Sequence, residues 1–340
     1  MIALAVAVGL VFAPPARLID VTFSIDAPKA KAVSFASDCF GWDEPRSMHE
    51  EGGVWKFPTQ LPSDVRVEYQ FVVDAKWTLD PKNAAKIDNG LGSYNSVYVG
   101  PDYRFDVPDQ EPKKPMVRQV LKVGKGEYQR EVITYRTVGP FKDMPILLYG
   151  DGPEYEKRLK PQNILQNLFE EGKVPPCVLV LVPPKDRMKE YWKESAGYER
   201  FLVDDVLPAV RKATKASKDP KRTFVGGASL GGLIAMRMAE GHPEVFAGGV
   251  HSQSGAFWAS PSVLSRSQLG KLSPSTRLYF CWGNYEGVLT ASNDRITDAL
   301  KRMERPFGQE ITNEGHNWTA WRRRYAAGVT YLLNPLLGKK

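Results

Sequence analysis

The chain has few residues that could hold a metal or a disulfide framework. Its 340 residues include three cysteines and four histidines, and no two cysteines form a C-x-x-C pair. Cys177 and Cys281 lie within apolar runs, where cysteine behaves as a small hydrophobic side chain. An odd number of widely spaced cysteines indicates neither a disulfide scaffold nor zinc. We therefore predict no metal site.

Long apolar segments and internal repeats are also missing from the sequence. The uncharged apolar run at residues 2–13 is too short to cross a bilayer but fits the hydrophobic region of a secretory signal. Val11 and Ala13 form a small-x-small cleavage pattern, although no basic residue precedes the run and Pro14 follows it. We predict a signal peptide over residues 1–16, export to the periplasm or medium rather than a cytoplasmic location, and no stable membrane insertion.

The charge balance is basic, with a net charge of +7, which would suit an anionic partner. Lysine and arginine are nevertheless spread along the chain, and no basic run is interleaved with aromatic residues. The densest cluster, residues 322–324, is expected on the solvated face of a C-terminal helix. We predict no nucleic-acid binding and make no prediction of the oligomeric state.

Two patterns of hydrophobicity divide the chain. Val21, Phe23 and Ile25 alternate with polar residues, and further short strands are predicted at residues 31–37, 53–58, 65–73 and 94–99. Closely spaced strands with no helix between them predict an all-β sandwich of the immunoglobulin-like (early-set) type over residues 17–102. The proline-rich, charged stretch that follows predicts a semi-rigid linker over residues 103–117.

Residues 118–340 show the alternation of strands and helices that is typical of a mainly parallel sheet covered on both faces. The predicted fold class is α/β, an α/β-hydrolase domain. Its strands are expected at residues 131–138, 144–149, 175–183, 222–228, 246–252 and 277–283. Its helices are expected near residues 157–171, 198–216, 230–241, 291–304 and 317–333.

The motif with the clearest chemistry is Gly227-Ala228-Ser229-Leu230-Gly231. It follows a predicted strand and opens a predicted helix, as the G-x-S-x-G nucleophile elbow requires. The glycines permit a sharp turn that exposes the Ser229 hydroxyl, and the Leu230 N–H at the helix start would face a developing oxyanion. A second oxyanion donor is expected from Gly152 or Glu154, because Pro153 between them has no N–H.

The general base follows by elimination among four histidines. His49 lies in the β-domain, His242 at a helix end, and His251 precedes any plausible acid. The order Ser, acid, His along the chain fits only His316. For the acid, Glu286 is the first carboxylate after the strand at residues 277–283 and is preferred; Asp294, expected within the next helix, is the competitor.

These residues resemble the esterase family whose named member is enterochelin esterase, a siderophore-ester hydrolase; feruloyl and acetylxylan esterases belong to the same superfamily. The similarity runs from about residue 118 to 336. It rests on Asp151-Gly152-x-x-Tyr155, Pro175-Pro176, Arg187-x-x-Glu190-Tyr191, the elbow at residues 227–232, the stretch Ser252 to Trp258, and Gly315-His316-Asn317-Trp318 with Trp321.

The resemblance implies Ser229, His316 and Glu286 as the catalytic residues. It also makes Arg187, Tyr155, Trp258 and Trp318 candidates for substrate binding, with Arg187 holding an anionic part of the substrate or anchoring Glu190. The chain departs from the family at Asn317, where members often have Asp, and at Pro153. Its N-terminal domain does not look like the lid domain of the named enterochelin esterase.

Residues 17–100 instead resemble the early-set, glycogen-binding-like modules. The resemblance implies Trp42 and Trp77 as a stacking platform and Asn95 as a hydrogen-bonding residue for a glycan. A lysine of the glycan binders is replaced by Gln70. This favours a module that only braces the catalytic domain, with both tryptophan rings packed as core.

The combined interpretation is a serine esterase that works through an acyl-enzyme without metal or organic cofactor. Its substrate is predicted to be a siderophore-type or carbohydrate-linked ester, the alternative being a feruloyl- or acetylxylan-type carbohydrate esterase. A second alternative is a non-catalytic glycan-binding protein on a hydrolase scaffold.

Overall fold

The computed structural model describes residues 16–90 and 92–338. The predicted signal peptide lies outside the described residues except for its last residue. The chain divides into two compact units, residues 1–104 and 105–340, which are taken in turn. In the described ranges, no helix has both the length and the apolar character needed to cross a membrane.

The first unit is built from β-strands throughout its described residues. One antiparallel sheet has the order β1-β5-β4 and contains β1 (Leu18–Asp26), β4 (His49–Glu51) and β5 (Val54–Pro62). The second has the order β3-β2-β6-β9-β8, with β7 beside β6. It contains β2 (Val33–Ser37), β3 (Gly41–Ser47), β6 (Arg66–Val73), β7 (Lys76–Thr78), β8 (Lys86–Asp88) and β9 (Tyr94–Val99).

Aromatic side chains join the two sheets of this unit. Phe23 on β1 and Phe57 on β5 contact the ring of Phe35 on β2, with centroid distances of 4.4 and 4.8 Å. The alternation that predicted β1 therefore points Phe23 inwards, where it is only 4% exposed. Face-to-face packing of two antiparallel sheets confirms the predicted sandwich.

The second unit contains one mixed sheet, in the order β10-β11-β13-β12-β14-β15-β16-β17 over the described residues. The pairs β10–β11 and β11–β13 are antiparallel, and all the others are parallel. Its strands are β10 (Val117–Val123), β11 (Arg130–Arg136), β12 (Ile146–Tyr149), β13 (Val178–Leu181), β14 (Thr223–Ala228), β15 (Gly249–Gln253), β16 (Arg277–Gly283) and β17 (Gly308–Thr312).

Helices cover both faces of this sheet. The α-helices are α1 (Gly152–Glu154), α2 (Pro161–Glu170), α3 (Ser195–Arg200), α4 (Leu207–Thr214), α5 (Leu230–Gly241), α6 (Arg266–Leu269), α7 (Val288–Arg302) and α8 (Trp318–Leu333). Three π-helical segments lie at Tyr155–Leu159, Lys189–Lys193 and Phe201–Val206. Short 3₁₀ turns lie at Gly126–Tyr128, Pro220–Arg222, Phe257–Ala259, Pro261–Leu264 and Asn334–Leu336. Four neighbouring central strands, β13, β12, β14 and β15, are almost wholly buried. Such burial is expected for parallel strands that are covered on both faces.

Most of the segment predicted as a linker belongs to the second unit, and its residues 108–110 are hydrogen-bonded to α2. Asn167 on α2 donates from its amide to the carbonyls of Pro108 and Gln110, both at 2.9 Å. Asn163, one turn earlier, donates to the carbonyl of Asp109 at 3.2 Å. These amide contacts fix the irregular backbone of the segment against α2, where polar groups without partners would be costly.

Candidate active site

Ser229 occupies a strained turn between β14 and α5. Its φ of 58° and ψ of −122° lie outside the regions that a non-glycine residue normally adopts. The turn is held because the Ser229 N–H donates to the Gln253 carbonyl at 2.8 Å and the Ser229 carbonyl accepts from Ala256 at 3.0 Å. A Cβ added to Gly227 would lie 2.5 Å from the Gly231 carbonyl, which explains why glycine is needed there.

The two predicted oxyanion donors differ in availability. Leu230 is the first residue of α5, and N–H groups in the first turn of a helix have no partner within the helix. Gly152 donates its N–H to the Val182 carbonyl at 3.3 Å, and Glu154 donates to the Asp151 carbonyl at 3.0 Å. The structure therefore does not agree with Gly152 or Glu154 as a free donor, because each N–H already serves the loop itself.

His316 and Glu286 are in direct contact. The Nδ1 atom of His316 lies 2.8 Å from Oε2 of Glu286. The carboxylate is completely buried while the imidazole is partly exposed. Burial alone would raise the pKa of Glu286, but the hydrogen bond and charge of His316, helped by Arg324 and Ser254, outweigh it and lower the pKa. Glu286 is thus held as a carboxylate behind the imidazole.

The competing acid lies elsewhere. Asp294 is an exposed residue of α7, and burial together with the neighbouring Asp298 raises the pKa of its carboxyl. Of the two carboxylates considered from the sequence, only Glu286 contacts His316.

The other three histidines lie in different surroundings from His316. His251 is fully buried on β15, with Nδ1 2.7 Å from the Tyr149 hydroxyl, and burial lowers its pKa to about 3. His242 follows α5 beside Glu199 and Glu244, and His49 is exposed on β4. His251 therefore belongs to the core.

The residues of the candidate site follow four neighbouring strands at one edge of the sheet. Ser229 follows β14, and His316 comes shortly after β17; residues 254–258 follow β15, and Glu286 follows β16. These strands are parallel, so their carboxyl ends meet at the same edge. Ser254 couples the loops, since its hydroxyl donates to Glu286 Oε1 at 2.8 Å while the backbone on either side of it is bonded to Ser229.

Comparison with known proteins supplies the family. The family model described as "Putative esterase" matches residues 131–332, more than half of the chain. The chain belongs to this esterase family. The iron(III) enterobactin esterase of Escherichia coli K12 is 24% identical over 334 residues, covering 86% of this chain and 83% of the relative. The protein is therefore an enterochelin esterase-like carboxylic ester hydrolase, which sets aside a non-catalytic scaffold.

Solved structures of related folds extend the comparison. The ferric enterobactin esterase from Salmonella typhimurium is 21% identical, with 95% of each chain covered and a TM-score of 0.78. A feruloyl esterase module from Clostridium thermocellum is 16% identical, with 67% of this chain and 91% of that chain covered and a TM-score of 0.54. The first match includes the N-terminal unit. The expectation that this unit is unlike the N-terminal domain of enterochelin esterases is therefore wrong.

Arg187 braces the elbow of the esterase. Its guanidinium makes two contacts with Asp151, at 2.9 and 3.1 Å, and donates to the carbonyl of Ala228 at 3.1 Å. Glu190 is paired with Arg130 instead, at 2.8 Å. The idea that Arg187 anchors Glu190 is wrong, because the carboxylate partner of Arg187 is Asp151.

The three aromatic candidates for substrate binding differ in how far their side chains are exposed. Trp258 is 44% exposed and its ring lies 5.8 Å from that of Trp192, edge to face. Trp318 is partly buried, with its ring 4.9 Å from Trp321, which in turn lies 4.8 Å from the His316 ring. Tyr155 is fully buried and donates its hydroxyl to Gln253 at 3.0 Å. Substrate contact by Tyr155 does not agree with that burial; its hydroxyl instead bonds Gln253, whose carbonyl accepts from the Ser229 N–H.

Arg324 has a place beside the proposed acid that the sequence did not predict. Its side chain is completely buried, with Nη2 3.5 Å from Glu286 Oε1, while Arg323 pairs with Glu314 at 3.2 Å and Arg322 pairs with Asp109. The expectation of a solvated arginine face is therefore wrong. The helical spacing offered one signal: Arg324 follows Trp321 by three residues, on the same buried side of α8.

The predicted glycan-binding residues of the first unit behave differently from one another. Trp42 and Trp77 are neighbours, with ring centroids 6.3 Å apart, and Trp77 is 49% exposed. The prediction that both rings are packed as core is therefore wrong. Asn95 is buried, accepts from Gln70 at 3.0 Å and donates to Glu68 at 3.0 Å. A glycan-bonding role for Asn95 does not agree with this engagement of both ends of its amide.

Proposed function

We propose that the esterase cleaves its substrate through an acyl-enzyme formed on Ser229, with His316 as general base and Glu286 as the orienting acid. The observation that carries the proposal is the contact between His316 Nδ1 and the buried Glu286 carboxylate, at the sheet edge where the Ser229 elbow opens. A carboxylate on Nδ1 accepts the proton there and leaves Nε2 free to accept another.

The reaction then has two halves. In the first, Nε2 of His316 takes the Ser229 proton as Oγ attacks the ester carbonyl, and the Leu230 N–H donates to the oxyanion. The same proton passes to the leaving alkoxide as the carbon–oxygen bond breaks. In the second half, water attacks the acyl-serine with His316 as base, which releases the acid and restores Ser229.

A catecholate siderophore ester is the substrate class that we favour. Named relatives that act as iron(III) enterobactin esterases align with 86% of the chain, and the similarity in fold includes both units. The exposed Trp258 and the neighbouring Trp192, with Lys193 over the Trp192 ring at 5.7 Å, offer stacking and positive charge. Such a surface suits an aromatic ligand with negative charge.

A carbohydrate-linked aromatic ester is the second candidate. The observation in its favour is the exposed Trp77 beside Trp42 in the first unit, since adjacent tryptophan rings can stack on sugar faces. Feruloyl esterases share the fold, but the match covers 67% of this chain. We also propose that the protein is exported, as residues 1–16 predict.

A hydrolysis screen tests the proposal. The wild type and Ser229→Ala are compared on 4-nitrophenyl acetate, a ferric enterobactin-like triester and a feruloylated oligosaccharide, with labelling by a fluorophosphonate probe. We expect labelling and turnover in the wild type, neither in Ser229→Ala, and the highest kcat/KM for the triester. Ser262→Ala, at an exposed serine, is the control for loss of a hydroxyl. Preference for the oligosaccharide would select the second candidate.

A further inference from the structure

The Glu286 carboxylate is a buried charge that needs compensation. Its side chain has no exposed area, and an ionised carboxylate removed from water is costly unless it is paired and hydrogen-bonded. Oε2 contacts His316. Oε1 accepts from the Gly283 N–H at 2.6 Å and from the Ser254 hydroxyl at 2.8 Å, and it lies 3.5 Å from Arg324.

Only Arg324 can supply a permanent positive charge among these contacts. His316 has to be neutral before it can accept the serine proton, so in the form that is ready to react it gives the carboxylate a hydrogen bond but no positive charge. A guanidinium remains protonated even when it is buried. The Arg324 side chain is completely buried, and its Nη1 has no hydrogen-bond partner among the described residues.

The neighbouring structure fixes the position of both donors. The Arg324 Nε donates to the Ala320 carbonyl at 3.0 Å, and the Ala320 N–H donates to the side chain of Asn317, the N-cap of α8. Asn317 directly follows His316, so the guanidinium is tied to the loop of the base. The Ser254 hydroxyl accepts from Nε1 of Trp321 at 3.0 Å, which directs its own proton towards Glu286.

We propose that Arg324 and Ser254 are positioning residues of the esterase, which together hold Oε1 of Glu286 so that Oε2 faces His316. The inference rests on the proposed function, because it assigns a task to groups behind the proposed acid. Both side chains are buried, and we assign neither of them a contact with the substrate or the reacting atoms. Their effect is transmitted through the carboxylate and the tautomer of His316.

The consequence is a defined dependence of rate on pH. A proton taken up by the Glu286–His316 pair, at either site, prevents His316 from acting as base. Removal of the arginine charge, or of the serine donor, makes the pair bind that proton more readily, so the acid limb of kcat/KM moves to higher pH. The other titratable and charged groups facing this region are His251, Tyr279, Cys281, Glu310, Glu314 and Arg323, and all are retained in the Arg324 and Ser254 variants.

The test is the pH profile of kcat/KM for 4-nitrophenyl acetate in Arg324→Gln, Arg324→Lys and Ser254→Ala, with folding checked by circular dichroism. In Arg324→Gln we expect the acid limb to move up by about 1 to 2 pH units, the usual effect of an opposite charge nearby, with activity recovering at high pH. Ser254→Ala should shift the limb in the same direction by less, and Arg324→Lys should restore it towards the wild type. Arg323→Met, which removes the adjacent guanidinium on Glu314, is the matched control and should leave the limb in place.

A purely structural role would lower the rate equally at every pH and leave the limb unmoved. An unshifted limb in either folded Arg324→Gln or folded Ser254→Ala overturns the inference, as does a control shift as large as that of Arg324→Gln. If neither Arg324 variant folds, the Ser254→Ala profile decides alone. Wild-type turnover in Ser229→Ala would instead overturn the proposed function, whereas an inactive Ser229→Ala with unmoved limbs overturns only this inference.

Discussion

At the scale of single residues, the backbone of Ser229 carries the strain of the site. Conformations of this kind cost on the order of 1–3 kcal/mol and persist only where the surroundings impose them. Here the backbone bonds to Gln253 and Ala256 impose the conformation, and neither bond uses the serine side chain. The strain therefore belongs to the turn, and the hydroxyl can be removed without releasing it.

Ser229→Ala is accordingly expected to fold like the wild type and to lose ester hydrolysis. Loss of the nucleophile should reduce kcat by a factor of about 10⁴ or more. Steady-state kinetics beside a thermal melt separates chemistry from stability. Near-normal turnover by the folded variant would remove Ser229 from the mechanism.

His316→Ala is expected to cost about as much as Ser229→Ala, because nucleophile and base act as one unit. The double variant should be hardly slower than either single variant. Measured kcat values for the three variants check this non-additivity. A rate that survives in His316→Ala and disappears in folded His251→Ala would show that the base has been misassigned.

Glu286→Gln and Asp294→Asn form a matched pair for the acid. Glu286→Gln should reduce kcat by a factor of about 10² to 10⁴ at neutral pH, since an amide neither fixes the tautomer of His316 nor stabilises the imidazolium. Asp294→Asn should have little effect because Asp294 is exposed on α7. A larger defect at Asp294 would reverse the assignment, and a normal rate in both would indicate a serine–histidine dyad.

At the scale of elements, the burial of each strand determined whether the sequence could predict it. Central strands such as β14 and β16 form continuous apolar runs, so their position was predicted closely. The edge strands β10 and β17 were missed because both are largely or partly exposed and read as polar segments. A strand with one unpaired edge is not constrained to an apolar composition.

The residues of the candidate site also divide into those that the sequence predicts and those that it does not. Ser229, His316 and Glu286 were found because motif, chain order and position after a strand are all local features. Gly152, Tyr155 and Asn95 were misjudged because hydrogen bonds made elsewhere in the fold engage them. Arg324 was hidden because three consecutive arginines look solvated, whereas a helix turns successive residues in different directions.

Trp77 gives a prediction at the scale of the β-sheet unit. Trp77→Ala should leave the thermal melt almost unchanged, within about 0.5 kcal/mol, because the ring is 49% exposed. If the pair with Trp42 binds sugar, the same variant should reduce retention on an α-glucan or xylan column without changing aryl-acetate hydrolysis. A loss of several kcal/mol would show that the ring is packed as core after all.

At the scale of the whole molecule, the sheet of the second unit separates two layers of core. The layer that contains Tyr149, Tyr279 and Tyr325 also encloses His251, whose ring lies 5.5–6.0 Å from each of them. This buried histidine is a residue of β15, the strand whose carboxyl end supplies the Ser254 loop. The layer beside the catalytic edge is therefore most stable while His251 is neutral.

The pH dependence of stability tests this role of His251. Its pKa falls from 6.5 to about 3 on folding, so the unfolded chain binds more protons than the folded chain between those values. Stability from this group is complete above about pH 6.5 and is lost as the pH falls towards 3, at up to about 1.4 kcal/mol per pH unit. We expect urea unfolding free energies of His251→Gln to be lower than wild type at pH 7 but to fall less steeply on acidification. His49→Gln is the matched control, because His49 is exposed on β4, and its slope should equal that of the wild type. Equal slopes in His251→Gln and wild type would show that His251 does not carry this part of the acid sensitivity.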